Sequence, residues 1–304
     1  MAFRVVAQIA GLENQTCELM KKYFLPLVIL SLLQFAHAQG LKPTLRQLVE
    51  PPSDKSKLKL FLLVGQSNMA GRGYPESVDT ISNQRVLKLD QYGKWEIAKD
   101  PIHFDKPSAD GVGPGLQFGK TMAAEDPTVV IGLIPCAVGG SGIDYWKKGV
   151  FYPGTKTYPY DDAVARAKAA MANGTLIGIL WHQGEADSKP ANSEVYEQKL
   201  KEVVIAFRKD LGNEKLPFIA GQLPNFQIYK TDKNGQQSIN QSAIKVNEAI
   251  ANLSKRIPYY TYVTAQNTKH RGDVLHFDAS SAREMGKRYA NEMIKLLGQI
   301  QKSN

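Results

Sequence analysis

Ser67, Asp273 and His276 are the residue types of a nucleophile, a carboxylate and a base, and each stands where the local composition changes abruptly. In "KLKLFLLVGQSNMAGRG", Lys57 to Gly73, an apolar run stops at a glycine, two amides and Ser67. A serine hydroxyl attacks well only when a base takes its proton, and that base works best when a carboxylate orients it. Asp273 and His276 lie three residues apart in "HRGDVLHFDASS". In a turn, the carboxylate could accept from one ring nitrogen while the other faces Ser67.

Acyl transfer also needs donors for the developing oxyanion, each costing about 3 kcal/mol when removed. Gly139 and Gly140 in "AVGGSGI" offer backbone N–H groups with no Cβ in the way, and Gln183 in "WHQGEAD" offers a side-chain amide. Glu185 in the same segment is a second candidate for the acid behind the base. Its neighbours read more plainly: His182 as a structural histidine beside Trp181, Asp187 as a helix or loop cap. Ser67 alone reads as an N-cap, and His276 alone as a surface residue. Together with two donor segments, in this chain order, they read as chemistry.

These segments need a scaffold. Lys59–Val64 is apolar without alternation, the pattern of a strand covered on both faces. Further strands are expected at Arg85–Leu89, Thr128–Pro135, Leu176–Trp181, Pro217–Leu223 and Tyr259–Val263, with a turn at Gln91–Lys94. Helical patterns occupy Leu116–Ala124, Asp161–Ala172, Ser193–Leu211, Ser238–Lys255 and Ser280–Leu297. Alternating strands and helices imply right-handed crossovers and one parallel sheet of about five strands. Ligands meet such sheets at the carboxyl ends of the strands, where the candidate residues follow. The long loop from Gly139 to Tyr160 suits a functional role by its length. Its aromatic residues Tyr145, Trp146, Phe151 and Tyr152 are candidates to stack on a bound ligand, and His103 is a candidate for the pocket rim.

Composition narrows the class. Of 304 residues, 43% are hydrophobic, enough for an ample core. The 38 basic residues exceed 29 acidic ones by nine, but they are dispersed, so no nucleic-acid stripe is expected. Met20 to Gly40 has a basic start at Lys21 and Lys22, an apolar Tyr23–Phe35 and an Ala36-His37-Ala38 cleavage pattern. That is a signal peptide, too short and interrupted for a stable membrane anchor. Residues 1–38 are therefore read as an N-terminal extension and leader, with the start at Met20. Residues 39–304 are read as one domain, exported to the periplasm or the exterior. Of Cys17 and Cys136, only Cys136 survives cleavage, and it reads as a buried structural thiol. The five histidines form no zinc pattern, and no metal or cofactor is expected.

The blocks G-Q-S-N-M, G-G-S-G-I, W-H-Q-G-E and D-x-x-H resemble those of the SGNH-type carbohydrate esterases. The likeness is to carbohydrate esterase family six and the related sialate O-acetylesterase domain, in order from about Leu58 to Leu297, and includes "GVGPGLQFGK" and "IGLIPCAVGGSGIDYW". It implies a flavodoxin-like three-layer α/β/α fold and removal of acetyl groups from sugars. By that resemblance Ser67 is the nucleophile, His276 the base and Asp273 its partner, with the Ser67 amide, Gly140 and Gln183 as oxyanion hole. Gln183 stands where many SGNH hydrolases carry asparagine. Acetylated xylan and O-acetylated sialic acid both remain open as substrate. A carbohydrate-binding protein that has lost catalysis is the alternative of another class, and a lipase or thioesterase a lesser one among enzymes.

Overall fold

Leu58, Leu60, Leu62 and Val64 face one side of the first strand, β1 (Leu58–Gly65), while Phe61 and Leu63 face the other, and all six are buried. A strand with two buried faces must lie between two layers, which is why it reads as a continuous apolar run. The computed structural model describes residues 46–231 and 234–303. They fall within one compact unit, 43–304. The expected leader lies outside the described residues.

Along the chain, β1 is followed by a short helix α1 (Ser67–Ala70), β2 (Val86–Leu89), β3 (Trp95–Ile97), α2 (Pro114–Glu125) and β4 (Val130–Pro135). Then come α3 (Pro159–Ala170), β5 (Thr175–His182), α4 (Pro190–Glu194), α5 (Tyr196–Asp210) and β6 (Phe218–Gly221). The chain closes with α6 (Asn225–Ile228), β7 (Tyr229–Thr231), β8 (Gln237–Ile239), α7 (Gln241–Leu253), β9 (Tyr260–Val263) and α8 (Ala279–Ser303). The main sheet has the order β3-β2-β4-β1-β5-β6-β9, and only β3 runs antiparallel to its neighbour. Apolar residues of α3, α5 and α7 cover the Leu58 face, and those of α2 and α8 cover the Phe61 face. The result is a three-layer α/β/α fold around a mostly parallel sheet.

The main sheet has seven strands where about five were expected, and six of the seven match segments read as strands in the sequence. The unforeseen one, β3, has three residues with Glu96 at its centre, and no apolar pattern announces it. Glu96 is tolerated because Lys88 opposes it on β2 and approaches its carboxylate at 3.1 Å. Asp90 Oδ1 accepts from the N–H groups of Tyr92 and Lys94, both at 2.8 Å, and turns the chain back at the expected place. The helix expected over Ser193–Leu211 divides near Val195 into α4 and α5. The one expected from Ser238 begins at Gln241, since the Asn240 side chain caps the Ala243 N–H and residues 237–239 pair with β7. Among the described residues no helix is long and apolar enough to cross a membrane.

Candidate active site

The sharp end of β1 is a steric requirement. Gly65 has φ +123°, and a Cβ there would meet the His182 carbonyl oxygen at 2.1 Å. Only glycine fits so close to the neighbouring strand. Gln66 then donates its N–H to the His182 carbonyl at 2.8 Å and occupies the N-cap, which places Ser67 in the first turn of α1. The serine is thus not the cap. Its hydroxyl lies instead 3.0 Å from His276 Nε2.

His276 comes from the loop before α8, whose first turn is capped by Asp278 through the Ser281 N–H at 2.7 Å. Asp273 Oδ1 accepts from the backbone N–H groups of Leu275 and His276, at 3.0 and 2.8 Å, while its Oδ2 meets His276 Nδ1 at 2.6 Å. Such Asx-type bonding closes a tight turn, here with Val274 forced to φ +56°. That is an uncommon conformation for a β-branched residue. Arg271 Nε donates to the same Oδ2 at 2.7 Å. Burial pushes the Asp273 carboxyl up, but the His276 backbone and ring and the Arg271 guanidinium outweigh it and hold it well below the carboxylate range. Burial pushes His276 down, only partly opposed by Asp273, so the ring is neutral and able to accept a proton near neutral pH.

The donor loops follow β4 and β5 at the same edge. Val138 N–H donates to the Gly65 carbonyl at 2.9 Å, carrying Gly139 and Gly140 alongside the serine turn. Gly140 is exposed, with φ +84°. Gly139 N–H is engaged by Asp105 Oδ2 at 2.6 Å, so it is not a free donor. Gln183 departs from expectation. Its side chain is fully buried, and Nε2 faces Asp187 Oδ2 at 2.6 Å, Gln66 Oε1 at 3.1 Å and the Ser141 carbonyl at 3.3 Å. A carboxylate only accepts, so the amide nitrogen must lie on that side, and its two hydrogens are already engaged. Gln183 fastens the loops together, which leaves the backbone N–H groups of Ser67 and Gly140 as the candidate donors of the expected set. Asp187 takes the Ile143 N–H at 2.8 Å as well, a long-range version of its expected capping role.

Several candidates lie elsewhere. Trp146 is not a surface platform: it is 1% exposed, donates to Ser141 Oγ at 3.0 Å and packs edge-on against Trp181. His103 is not at the rim. It is buried beside Cys136 in a cavity of about 260 Å³ lined by neither Ser67 nor His276, and burial pushes its ring down to about 3. His182 is buried between Phe277 and Tyr289 with Nδ1 3.0 Å from the Tyr289 hydroxyl, as a structural histidine should be. Tyr145 and Tyr152 are half-buried and pack edge-on, while Phe151 and Tyr158 are exposed. Cys136 is free and half-buried, its thiol pushed up by burial to about 11.

Glu185 does not reach His276 in this arrangement. Its Oε1 accepts from Asn68 Nδ2 at 2.7 Å, and burial raises its carboxyl to about 7. Asn68 was not singled out by sequence reasoning, yet it brackets the base: Oδ1 accepts from Phe277 N–H at 3.0 Å and Nδ2 donates to the Leu275 carbonyl at 3.2 Å. Its position immediately after the serine was the only signal. Arg72, 4% exposed, was also missed; it pairs with Asp105 at 2.7 Å and lies 3.5 Å from Asp110.

Known proteins carry the same architecture. A family model described as carbohydrate esterase, sialic acid-specific acetylesterase, matches residues 57–295. A protein of Arabidopsis thaliana named "Probable carbohydrate esterase" is 31% identical over 201 residues, which cover 56% of this chain and 74% of that one. An X-ray structure of a protein from Arabidopsis thaliana superposes with a TM-score of 0.66 at 26% identity, over 79% of this chain and 98% of that one. In Escherichia coli strain K12, a "Probable 9-O-acetyl-N-acetylneuraminic acid deacetylase" is 31% identical over 115 residues, covering 33% of this chain and 35% of that one.

Proposed function

The chain belongs to the carbohydrate esterase, sialic acid-specific acetylesterase family and is a carbohydrate O-acetylesterase; on that premise we propose that it works through an acetyl-enzyme on Ser67. The hydrogen-bonded line from Ser67 through His276 to Asp273, with steps of 3.0 and 2.6 Å, carries this reading. His276 Nε2 takes the Ser67 proton as Oγ attacks the acetyl carbonyl, and the oxyanion rests on the N–H groups of Ser67 and Gly140. The C–O bond to the sugar breaks, and His276 returns the proton to the departing alcohol. A water molecule then gives its proton to His276 and attacks the acetyl carbon. Acetate leaves and Ser67 recovers its proton. Asp273 keeps Nδ1 protonated and offsets the charge that His276 gains.

For the sugar we propose acetylated xylan or its oligosaccharides. The aromatic faces of Tyr145, Phe151, Tyr152 and Tyr158 in the Gly139–Tyr160 loop support a neutral pyranose chain, along which rings can stack. The second reading is O-acetylated sialic acid, favoured by the description of the matching family and by the name of the Escherichia coli relative. The Met20–Gly40 segment supports export, with residues 39–304 as the mature esterase domain in the periplasm or outside the cell.

The deciding experiment measures acetate release from acetylated xylan fragments and from O-acetylated sialic acid side by side, with Ser67→Ala as control. Release from xylan fragments that disappears in the control supports the first reading, and release confined to the sialic acid replaces it with the second. No release from either by folded protein would leave the inactive carbohydrate-binding alternative.

A further inference from the structure

The Gly139–Gly140 peptide joins two residues without a Cβ, so side-chain sterics alone leave its orientation open. Its orientation decides what a substrate meets. In one sense the Gly140 N–H faces the reacting ester; in the flipped sense the Gly139 carbonyl oxygen does, and that would repel an oxyanion rather than hold it.

Two side chains hold the chain here from outside the line of Ser67, His276 and Asp273, one on the peptide that precedes Gly139 and the other on the Gly139–Gly140 peptide itself. Asp105 Oδ2 accepts the Gly139 N–H at 2.6 Å, and the Tyr152 hydroxyl donates to the Gly139 carbonyl at 3.3 Å. In a trans peptide the carbonyl and the following N–H point opposite ways, so holding the Gly139 oxygen on Tyr152 turns the Gly140 N–H to the other side. A Cβ on Gly140 would stand 2.9 Å from the Tyr152 hydroxyl, which shows how closely the two fit. Neither anchor is itself loose. The Tyr152 ring packs edge-on against Tyr145 with centroids 4.6 Å apart. Asp105 is tied by the buried Arg72 guanidinium at 2.7 Å, and Arg72 also donates to the Gly71 carbonyl at 2.7 Å, only four residues beyond the nucleophile. Burial pushes the Asp105 carboxyl up, yet Arg72 and the Gly139 N–H outweigh it and keep the group ionised as an acceptor.

We propose that Tyr152 is a positioning residue that locks the Gly139–Gly140 peptide so that its N–H, and not its carbonyl, serves the oxyanion, while Asp105 fixes the preceding peptide against which it turns. The inference rests on the acetyl-transfer reading of Ser67. It assigns Tyr152 a role in the rate of acetyl transfer that is separate from sugar stacking.

Tyr152→Phe tests it, since the ring and its contact with Tyr145 stay and only the hydroxyl goes. With a small aryl acetate, kcat should fall ~10-fold with KM within about twofold, as expected when a donor loses orientation rather than when binding is lost. A boronic acid, whose adduct with Ser67 places a charged oxygen in the hole, should bind weaker by the same factor. The acid limb of the pH profile should not move, because His276 is untouched, and the unfolding midpoint measured in parallel should match the wild type. Unchanged kcat and boronate affinity in the folded variant would overturn the inference. So would a raised KM with intact kcat, which would make the hydroxyl a substrate contact. A wild type lacking Ser67-dependent hydrolysis would overturn the acetyl-transfer reading and this inference together, an outcome distinct from the other two.

Discussion

Asp273 holds His276 twice, accepting its backbone N–H on one carboxylate oxygen at 2.8 Å and its ring Nδ1 on the other at 2.6 Å. One side chain thereby fixes both the turn that presents the imidazole and the rotation of the ring. Glu185, the other candidate acid in the sequence, is engaged by Asn68 instead.

The two carboxylates should therefore separate cleanly by mutation. Asp273→Asn is expected to lower kcat/KM by about 10³-fold or more, since the ring loses the acceptor that sets its tautomer. Glu185→Gln keeps an oxygen for Asn68 and should cost less than ~10-fold. Steady-state kinetics on an aryl acetate decide it; the reverse order would make Glu185 the acid.

The pH profile follows from the environment of His276. Burial lowers its pKa below the ordinary histidine value, with Asp273 opposing and the Arg271 and Arg72 charges adding to the fall. Protonated His276 cannot accept from Ser67, so kcat/KM should drop as pH falls through a midpoint below about 6.5 and level off above it. Asp273, held lower still, titrates outside that window. A midpoint above pH 7 would contradict this environment.

Trp146 should behave as a core residue. Trp146→Ala is expected to destabilise the protein by ~3–5 kcal/mol in denaturant unfolding, the usual cost of emptying such a volume. Loss of activity should be equal on polymeric and small acetates. A selective loss on the polymer, with stability intact, would restore the stacking role read from the sequence.

Asn68→Ala removes the partner of the Phe277 N–H, next to His276, and of Glu185 Oε1, while the Leu275 carbonyl keeps Gln227 Nε2 at 2.7 Å. Leaving the buried Phe277 N–H unpaired costs ~1–3 kcal/mol. A drop of at least ~10-fold in kcat should accompany it, because the imidazole is no longer bracketed. Normal kcat in a variant that melts earlier would assign Asn68 to stability alone.

What the sequence displayed and what it hid follow from the range of the interactions. The break at Gly65 and the Asp273-x-x-His276 spacing are local patterns, so the residues that the structure joins near Ser67 could be picked out beforehand. Six strands of the main sheet announced themselves by apolar runs, whereas β3 is too short and carries a glutamate whose partners Lys88 and Arg46 lie on other segments. Arg72 with Asp105, 33 residues apart, and Asn68 with Phe277, 209 apart, leave no local trace. An aromatic residue in a glycine-rich loop reads the same whether its ring turns inward, as Trp146 does, or outward, as Phe151 does. Gln183 reads as a free donor in the sequence because two of its three acceptors, Gln66 and Ser141, come from distant segments.

Ser67 and His276 stand 209 residues apart, and His276 immediately precedes α8, whose apolar face completes one of the two cores. At ~5–20 residues per second, the ribosome makes Ser67 roughly 10–40 s before His276. Throughout that interval the growing chain has a serine and no partner to deprotonate it. On the proposed acetyl-transfer reading, esterase activity is consequently a late event in the life of each molecule, reached only once the segment carrying His276 has been made and α8 has packed onto its core.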